Sequence, residues 1–451
     1  MFEIVSLQND ANWNETDEDL FWPEPDLEAR LIDAYFARPH HDFPVVNELQ
    51  FRKDHAGPPG RERQIQHVAL ALGIFAVASR YVDDPRVCFE EEERLNGQTA
   101  HTAGVQWWLT QRRIGMRLWG GNMGARHAQH IILNVIFMLG TSMANSYAWA
   151  LLAVAVRLLQ DAGAHRNITG QRLGYSLETQ ETHRRLWWAV YSLDREFGAG
   201  LGRPVCIQDE DFDVLEPMAV DDEVLMRSSE LGTTPEQPAG VPSAFGYFLC
   251  SIRLDQIIGR TLRTIYAIGK AKVQRGFVGR QWDQFIVAEI DSALNKWLDT
   301  VPSHLRYDPR EPNSEWLLQS SLLHTKYYHS QILVHRPFIP GPSAKPSLNF
   351  PSLAICTNAA RSTSHILYNL LKRDLHNQGG LQVSFRAFSA GCVLLLVVWA
   401  AKRSGAHAST SAMADVRRCL DVLHGCEKHW AIACKQSDLM ERLIKVSELP
   451  V

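Results

Sequence analysis

Apolar residues recur at helical spacing along almost the whole chain. Leu27, Leu31, Ala34 and Tyr35 mark a first helix that Pro39 ends. Ile65, Val68, Leu72, Phe75 and Ala76 mark another, reaching Ser79 before an Asp83-Asp84-Pro85 turn. Trp107, Trp108, Ile114 and Leu118 predict a helix closed by Gly120-Gly121. The stretches 131–139 and 147–159 are apolar nearly all round, which places them centrally in a bundle. Further helices are expected over 247–268, 286–298, 317–334, 388–401 and 416–439. No run alternates with period two between turn residues, so the expected class is all-α: a large bundle of antiparallel helices without sheet.

The densest segment lies between Asp161 and Pro217. Asp161-Ala162-Gly163 reads as a helix end, because glycine takes the left-handed conformation that closes a last turn. Ser176 or Thr179 caps the next helix, with Glu178 and Glu181 near its positive end. Leu186, Val190, Leu193 and Phe197 form an apolar stripe that Trp187, Trp188 and Tyr191 widen until little of the helix can face water. Asp194 falls inside that stripe, and a buried carboxylate needs a partner. Arg195 and Arg203 are the nearest candidates; the expectation is that Arg203 neutralises it across the following turn. Gly198, Gly200 and Gly202 read as backbone freedom at a helix end.

Composition bounds the rest. The 451 residues suffice for a large core or several packed units. Hydrophobic content of 45% and charged content of 21% are those of an ordinary globular protein. A net charge of −4 argues against non-specific nucleic-acid binding. The N-terminus lacks the pattern of a secretory signal, and the apolar run 391–401 is far short of the roughly 20 residues of a membrane span, so no membrane partner is expected. Residues 1–20 are acidic and expected to be disordered. Between Asp209 and Glu223 stand eight acidic residues, followed by a stretch rich in Ser, Thr, Gly and Pro; residues 209–243 are expected to form a flexible acidic loop. Phe212, Val214, Leu215 and Met218 would also suit an activation segment, but composition favours a solvated loop.

Candidate chemistry is sparse. Asp209, Asp211 and Asp213 have the first spacings of a calcium loop, but Val214 and Val220 stand where glycine and glutamate are needed. Cys419, His424, Cys426, His429 and Cys434 lack tight cysteine pairs and read as a buried helix face, so no metal site is expected. No catalytic motif is present, and no enzymatic activity is expected. An enzyme or carrier on the same scaffold would place Trp107, Trp108, Trp149, Tyr191 and His335 around an interior pocket.

Five submotifs follow one another within the dense segment: Asp161-x-Gly163-x-His165-Arg166, Arg184-Arg185-Leu186-Trp187-Trp188, Leu193-Asp194-Arg195, Leu201-Gly202-Arg203-Pro204 and Asp209-x-Asp211-x-Asp213. Leu333-x-His335-Arg336-Pro337-Phe338 and Cys356-Thr357-Asn358-Ala359-Ala360 follow later. The set resembles the fungal-specific transcription factor domain, the middle regulatory region of fungal zinc-cluster transcription factors, over about residues 21–435, with 436–451 as an extension. The resemblance implies a nuclear regulator of transcription by RNA polymerase II, partnered by transcription machinery or co-regulators and biased by a small-molecule effector. It also implies that His165, Arg166, Arg185, Trp187, Trp188, Asp194, Arg195, Gly202, Arg203, Pro204, Asp211, His335, Arg336 and Pro337 are structural or regulatory positions. The first cysteine is Cys88, so the six-cysteine zinc module of full-length relatives does not occur in these residues. Zinc and direct DNA contact are expected only through such a module, leaving no cofactor in this chain; a co-regulator without DNA contact is the alternative.

Overall fold

A computed structural model describes residues 21–57, 65–91, 94, 99–117, 124–141, 145–339, 351–403 and 410–448. The expected tail over 1–20, Leu118, the Gly120-Gly121 break and most of the Gly57–Gly60 loop lie outside these residues. Among the described residues there is no strand. The first part comprises α1 (Pro25–Ala37), α2 (Pro39–Asp42), α3 (Glu48–His55), α4 (Ile65–Ala78), α5 (Val105–Arg117), α6 (Ala125–Leu139), α7 (Asn145–Asp161), α8 (Asn167–Arg172) and α9 (Leu177–Leu201). There follow α10 (Asp222–Leu231), α11 (Gly246–Thr264), α12 (Gly269–Gln274), α13 (Arg280–Thr300) and α14 (Ser314–His335). The chain continues with α15 (Ser352–Lys372), α16 (Gly380–Arg403), α17 (Thr410–Cys426) and α18 (Ala431–Glu448).

Two large apolar cores result. The first is built from α1, α4 to α7 and α9, with Leu31, Phe75, Trp107, Ile132, Leu159, Trp187 and Leu193 among its buried residues. The second is built from α13 to α18, around Ile290, Leu322, Leu367, Leu394 and Leu423. Helix α11 belongs to both. Phe248, Leu249 and Ile252 face the first core, while Tyr247, Cys250 and Leu254 face the second. At 100° per residue these two sets lie on opposite sides of one cylinder.

Several boundaries differ from the sequence reading for local reasons. The single helix expected over 416–439 is two, because the chain turns at residues 427–430 and buries Trp430 before α18 begins. The proposed boundary at residue 435 therefore falls inside α18. Helix α16, much longer than the apolar run 391–401, is long and apolar enough to cross a membrane, but 56% of its apolar window is buried against its neighbours. Val383, Ala387, Ala390 and Leu394 are its core-facing positions. Helix α7 is less central than its composition implies: Tyr147 and Arg157 are exposed while Leu152, Ala155 and Leu159 are buried.

Candidate functional site

Helix α9 carries the dense motifs, and its ends form as its sequence dictates. Ser176 Oγ accepts the Thr179 N–H at 3.2 Å, Glu178 lies in the first turn, and Gly202 closes the helix at φ +65°. Trp187, Trp188, Tyr191 and Leu193 are all buried. Each of the three aromatic rings contributes about 5 kcal/mol of burial.

The chain leaving α9 doubles back along it as a strap, residues 206–221. The Asp194 carboxylate accepts the backbone N–H groups of Cys206 and Ile207 at 2.9 to 3.0 Å, and Arg195 Nη1 donates to it at 2.8 Å. Arg195, fully buried, also donates to the Ile207 carbonyl at 2.9 Å and to Asp209 at 2.8 Å, and its guanidinium lies over the Tyr191 ring at 4.1 Å. Burial pushes the Asp194 carboxyl upward, against the pull of the two backbone N–H groups and Arg195. The expected Asp194–Arg203 pair does not form. The left-handed turn at Gly202 sends Arg203 towards α7, where it donates to Ser146 Oγ at 2.8 Å and lies over the Trp149 ring at 5.0 Å. Pro204 offers its carbonyl to the Trp149 indole N–H at 3.3 Å.

Further along, Phe212 packs against the rings of Trp187, Trp188 and Tyr191 at 5.5 to 5.7 Å. Asp211 ends a single 3-10 turn, and the next acidic residue, Asp213, binds Arg166 at 3.1 Å and donates its N–H to the His165 carbonyl. The His165 ring lies 5.7 Å from Trp187. Trp188 Nε1 donates to the Leu215 carbonyl at 2.9 Å, and the Met218 N–H to Glu181 at 2.9 Å. Arg185, buried, joins Glu181 at 3.2 Å to Asp222 at 2.5 Å and stacks on Phe245 at 3.7 Å. The segment 209–243, expected as a flexible loop, thus carries α10 and is fastened to α9 along its first half. Gly198 and Gly200 lie within α9, and close approach explains them. A Cβ on Gly198 would meet Val205 at 2.8 Å and Leu262 at 2.9 Å, and one on Gly200 would meet Phe385 at 3.2 Å.

The second group of motif residues follows Leu333, which shares a small apolar cluster with Ala199 of α9 and Ile258 of α11. His335, buried at the end of α14, faces Ser352 at 3.3 Å and Asp291 at 3.1 Å. Arg336 donates to the Tyr266 hydroxyl at 2.7 Å, and Pro337 lies within the 3-10 turn Arg336–Phe338.

Between the two cores the inner face of α9 meets α11, α14, α16 and α18 around a half-open cavity of about 260 Å³. Its walls are mostly apolar: Leu193, Phe197, Ile258, Leu381, Phe385 and Phe388. Its polar wall consists of Glu196, Lys326, His329, Gln382, Arg386 and Gln436. Lys326 is neutralised by Asp255 at 2.8 Å, with Ser251 at 2.9 Å and Glu196 at 3.4 Å. Burial pushes the Asp255 carboxyl upward despite that ammonium. Burial, reinforced by Arg386, Arg336 and Lys326, lowers His329 to about 3, so its ring is neutral. None of Trp107, Trp108, Trp149, Tyr191 and His335, expected as a pocket wall, lines this cavity. Trp107 and Trp108 pack into the first core, and no periodicity marks the residues that replace them. A wider groove of about 510 Å³ beside α3 and α10 is walled largely by polar side chains, including Lys53, Asp54, Arg126 and Glu178.

The cysteine-histidine cluster near the C-terminus does not converge. Cys419 and Cys426 are buried in the second core, where burial raises the Cys426 thiol to about 12. Among the described residues no three His, Cys, Asp or Glu side chains are placed to share a metal ion.

Comparison with known proteins finds relatives among transcription factors. The chain is 27% identical over 426 residues to cutinase transcription factor 1 alpha of Fusarium vanettenii, covering 92% of this chain and 42% of that protein. It is 29% identical over 208 residues to activator of stress genes 1 of Saccharomyces cerevisiae, covering 46% and 20%. With the acetamidase regulatory protein of Aspergillus fumigatus it shares 24% identity over 364 residues, covering 78% and 40%. The chain thus spans less than half the length of these relatives. The family model matches residues 32–299, a shorter span than 21–435, and leaves the His335–Phe338 and Cys356–Ala360 motifs outside. That match contains α9, its strap and α11 and takes in more than half of the chain, which belongs to the fungal specific transcription factor domain family.

Proposed function

We propose that this chain is the regulatory part of a nuclear transcription regulator, whose output follows how its two cores pack across the cavity. The observation that carries the reading is the cavity's position: α9, the helix bearing the family motifs, forms one wall, and α14, α16 and α18 of the second core form the others. An occupant touches both halves and stabilises whichever packing it fits, which is the differential affinity a population shift requires. The strapped motif residues His165 to Asp211 hold α9 rigid, so that a change at its inner face moves the helix as a unit. DNA contact and zinc belong to a separate module of the kind that full-length relatives carry, and the partners of this part are transcription machinery or co-regulator proteins.

The test is a reporter assay with the chain tethered to a heterologous DNA-binding module. The tethered chain is expected to raise or lower reporter transcription. Ala199→Leu, which adds three carbons inside the cavity, is expected to shift that output at equal protein level. A reporter left at baseline by the tethered chain refutes the reading.

A further inference from the structure

We propose that the cavity between the two cores takes a small amphiphile with a carboxylate head and an apolar body. The inference rests on the cavity reading above and adds the chemistry of the occupant.

The argument is one of unspent donors. Arg386 is 5% exposed and makes no ion pair among the described residues. Its Nη1 donates to the Leu322 carbonyl at 2.6 Å and to Thr325 Oγ1 at 3.1 Å, and its Nη2 to Gln382 Oε1 at 2.7 Å. All three acceptors are neutral. A guanidinium has five N–H donors, so two remain, and a buried cation with no carboxylate at ion-pair distance is costly, since Glu196, Asp42 and Asp255 act on it only from further away. On α14, His329 is 9% exposed, and its Nε2 has no hydrogen-bond partner. Its Nδ1 stands 3.5 Å from Ser389 Oγ. With that hydroxyl donating to Nδ1, the ring proton sits on Nε2, a second donor without an acceptor.

The other charges on this wall do not pair with Arg386. Lys326 and Asp255 neutralise each other, and Ser192 donates to Asp255 at 2.6 Å. Glu196 reaches Lys326 at 3.4 Å and makes no ion pair with Arg386 among the described residues. An incoming carboxylate has the acceptor capacity that Arg386 and His329 lack, in the bidentate or paired geometry that guanidinium favours. The apolar walls then cover the body. At about 30 Å³ for each atom, as for a water molecule, the space holds about nine heavy atoms. Octanoate, with ten heavy atoms, is close to that size, and the cavity is half-open.

The experiment titrates sodium octanoate, 1-octanol and octylamine into the purified chain by calorimetry. Octanoate is expected to saturate one site, with the alcohol and the amine bound at least about tenfold more weakly, the value of one charge-assisted hydrogen bond. Arg386→Gln is expected to remove octanoate's advantage over octanol. Because Arg386 also supports the Leu322 carbonyl, His329→Phe serves as a second variant that keeps shape and removes one donor; it is expected to weaken octanoate and leave octanol unchanged. Equal binding of octanoate and octanol, preference for octylamine, or no binding of any of the three overturns the proposal. Undiminished octanoate binding to Ala199→Phe, which blocks the cavity, overturns it too. The tethered reporter needs none of these ligands, so a failed titration leaves the regulatory reading to its own test.

Discussion

Asp194→Asn is the substitution that most directly tests how α9 holds its strap. The carboxylate accepts two backbone N–H groups and one Arg195 N–H in a site 1% exposed. Asparagine keeps one acceptor oxygen but turns an NH₂ group towards donors. With its oxygen at the Oδ2 position it still meets all three donors, but as a neutral acceptor; its NH₂ then faces the Cys206 N–H from the Oδ1 position, at about 1–3 kcal/mol, and Arg195 is left with Asp209 as its remaining counter-charge. Breaking a buried pair costs about 3–5 kcal/mol, from which the recovered desolvation of the carboxylate is subtracted. A net loss of about 3 kcal/mol follows, or about 3 °C in melting temperature for a cooperative unit of this size. Arg203→Ala removes a contact at the surface and is expected to lower the melting temperature by about 1 °C or less. Differential scanning calorimetry of the two variants beside the parent decides the matter. An unchanged melting temperature for Asp194→Asn, or a loss for Arg203→Ala that equals it, refutes the pairing described here.

Other expectations follow from the same contacts. Arg185→Ala unties Asp222 and Glu181, costing about 3 kcal/mol, and limited trypsin digestion should then cut at Arg227 in α10 sooner than in the parent. Gly198→Val places a Cβ within 2.8 Å of Val205 and should destabilise by about 1–3 kcal/mol in denaturant titration. Acid should weaken the fold through buried neutral histidines. His130, lowered to about 4, and His329, lowered to about 3, stay neutral in the folded chain, while their unfolded forms take up a proton below about 6.5. The unfolded state therefore binds more protons between those values. Stability should be flat above about pH 6.5 and fall by about 2 kcal/mol per histidine on going to pH 5. His130→Gln should flatten that slope in guanidinium titrations at the two pH values.

Much of α9 was legible before folding because its signals are local. The Ser176 cap, the period of Leu186, Val190, Leu193 and Phe197, and the Gly202 stop all act within one turn of the residues that reveal them. Choosing between Arg195 and Arg203 as the partner of Asp194 was not local. It depends on the path of the chain after Gly202, and a left-handed residue redirects everything beyond it. The strap was misjudged for a related reason. Acidic residues in sequence look solvated, yet Asp213 and Asp222 each meet an arginine more than thirty positions earlier. Charge pairs of this separation, exposed at Asp213 and buried at Asp222, leave no periodicity. The cavity is further removed still, since its walls come from six helices and its defining residues, Arg386 and His329, occupy ordinary helical positions in their own segments.

The double allegiance of α11 bears on how this protein can be divided for expression. A fragment ending at residue 245 loses Phe248, Leu249 and Ile252 from the first core, and one beginning at residue 265 loses Tyr247, Cys250 and Leu254 from the second. Either cut leaves an apolar trough open to solvent. Two soluble halves would need α11 in both, as a duplicated segment. In the intact chain, melting of either core strips one side of that helix, so heating should give one calorimetric peak instead of two.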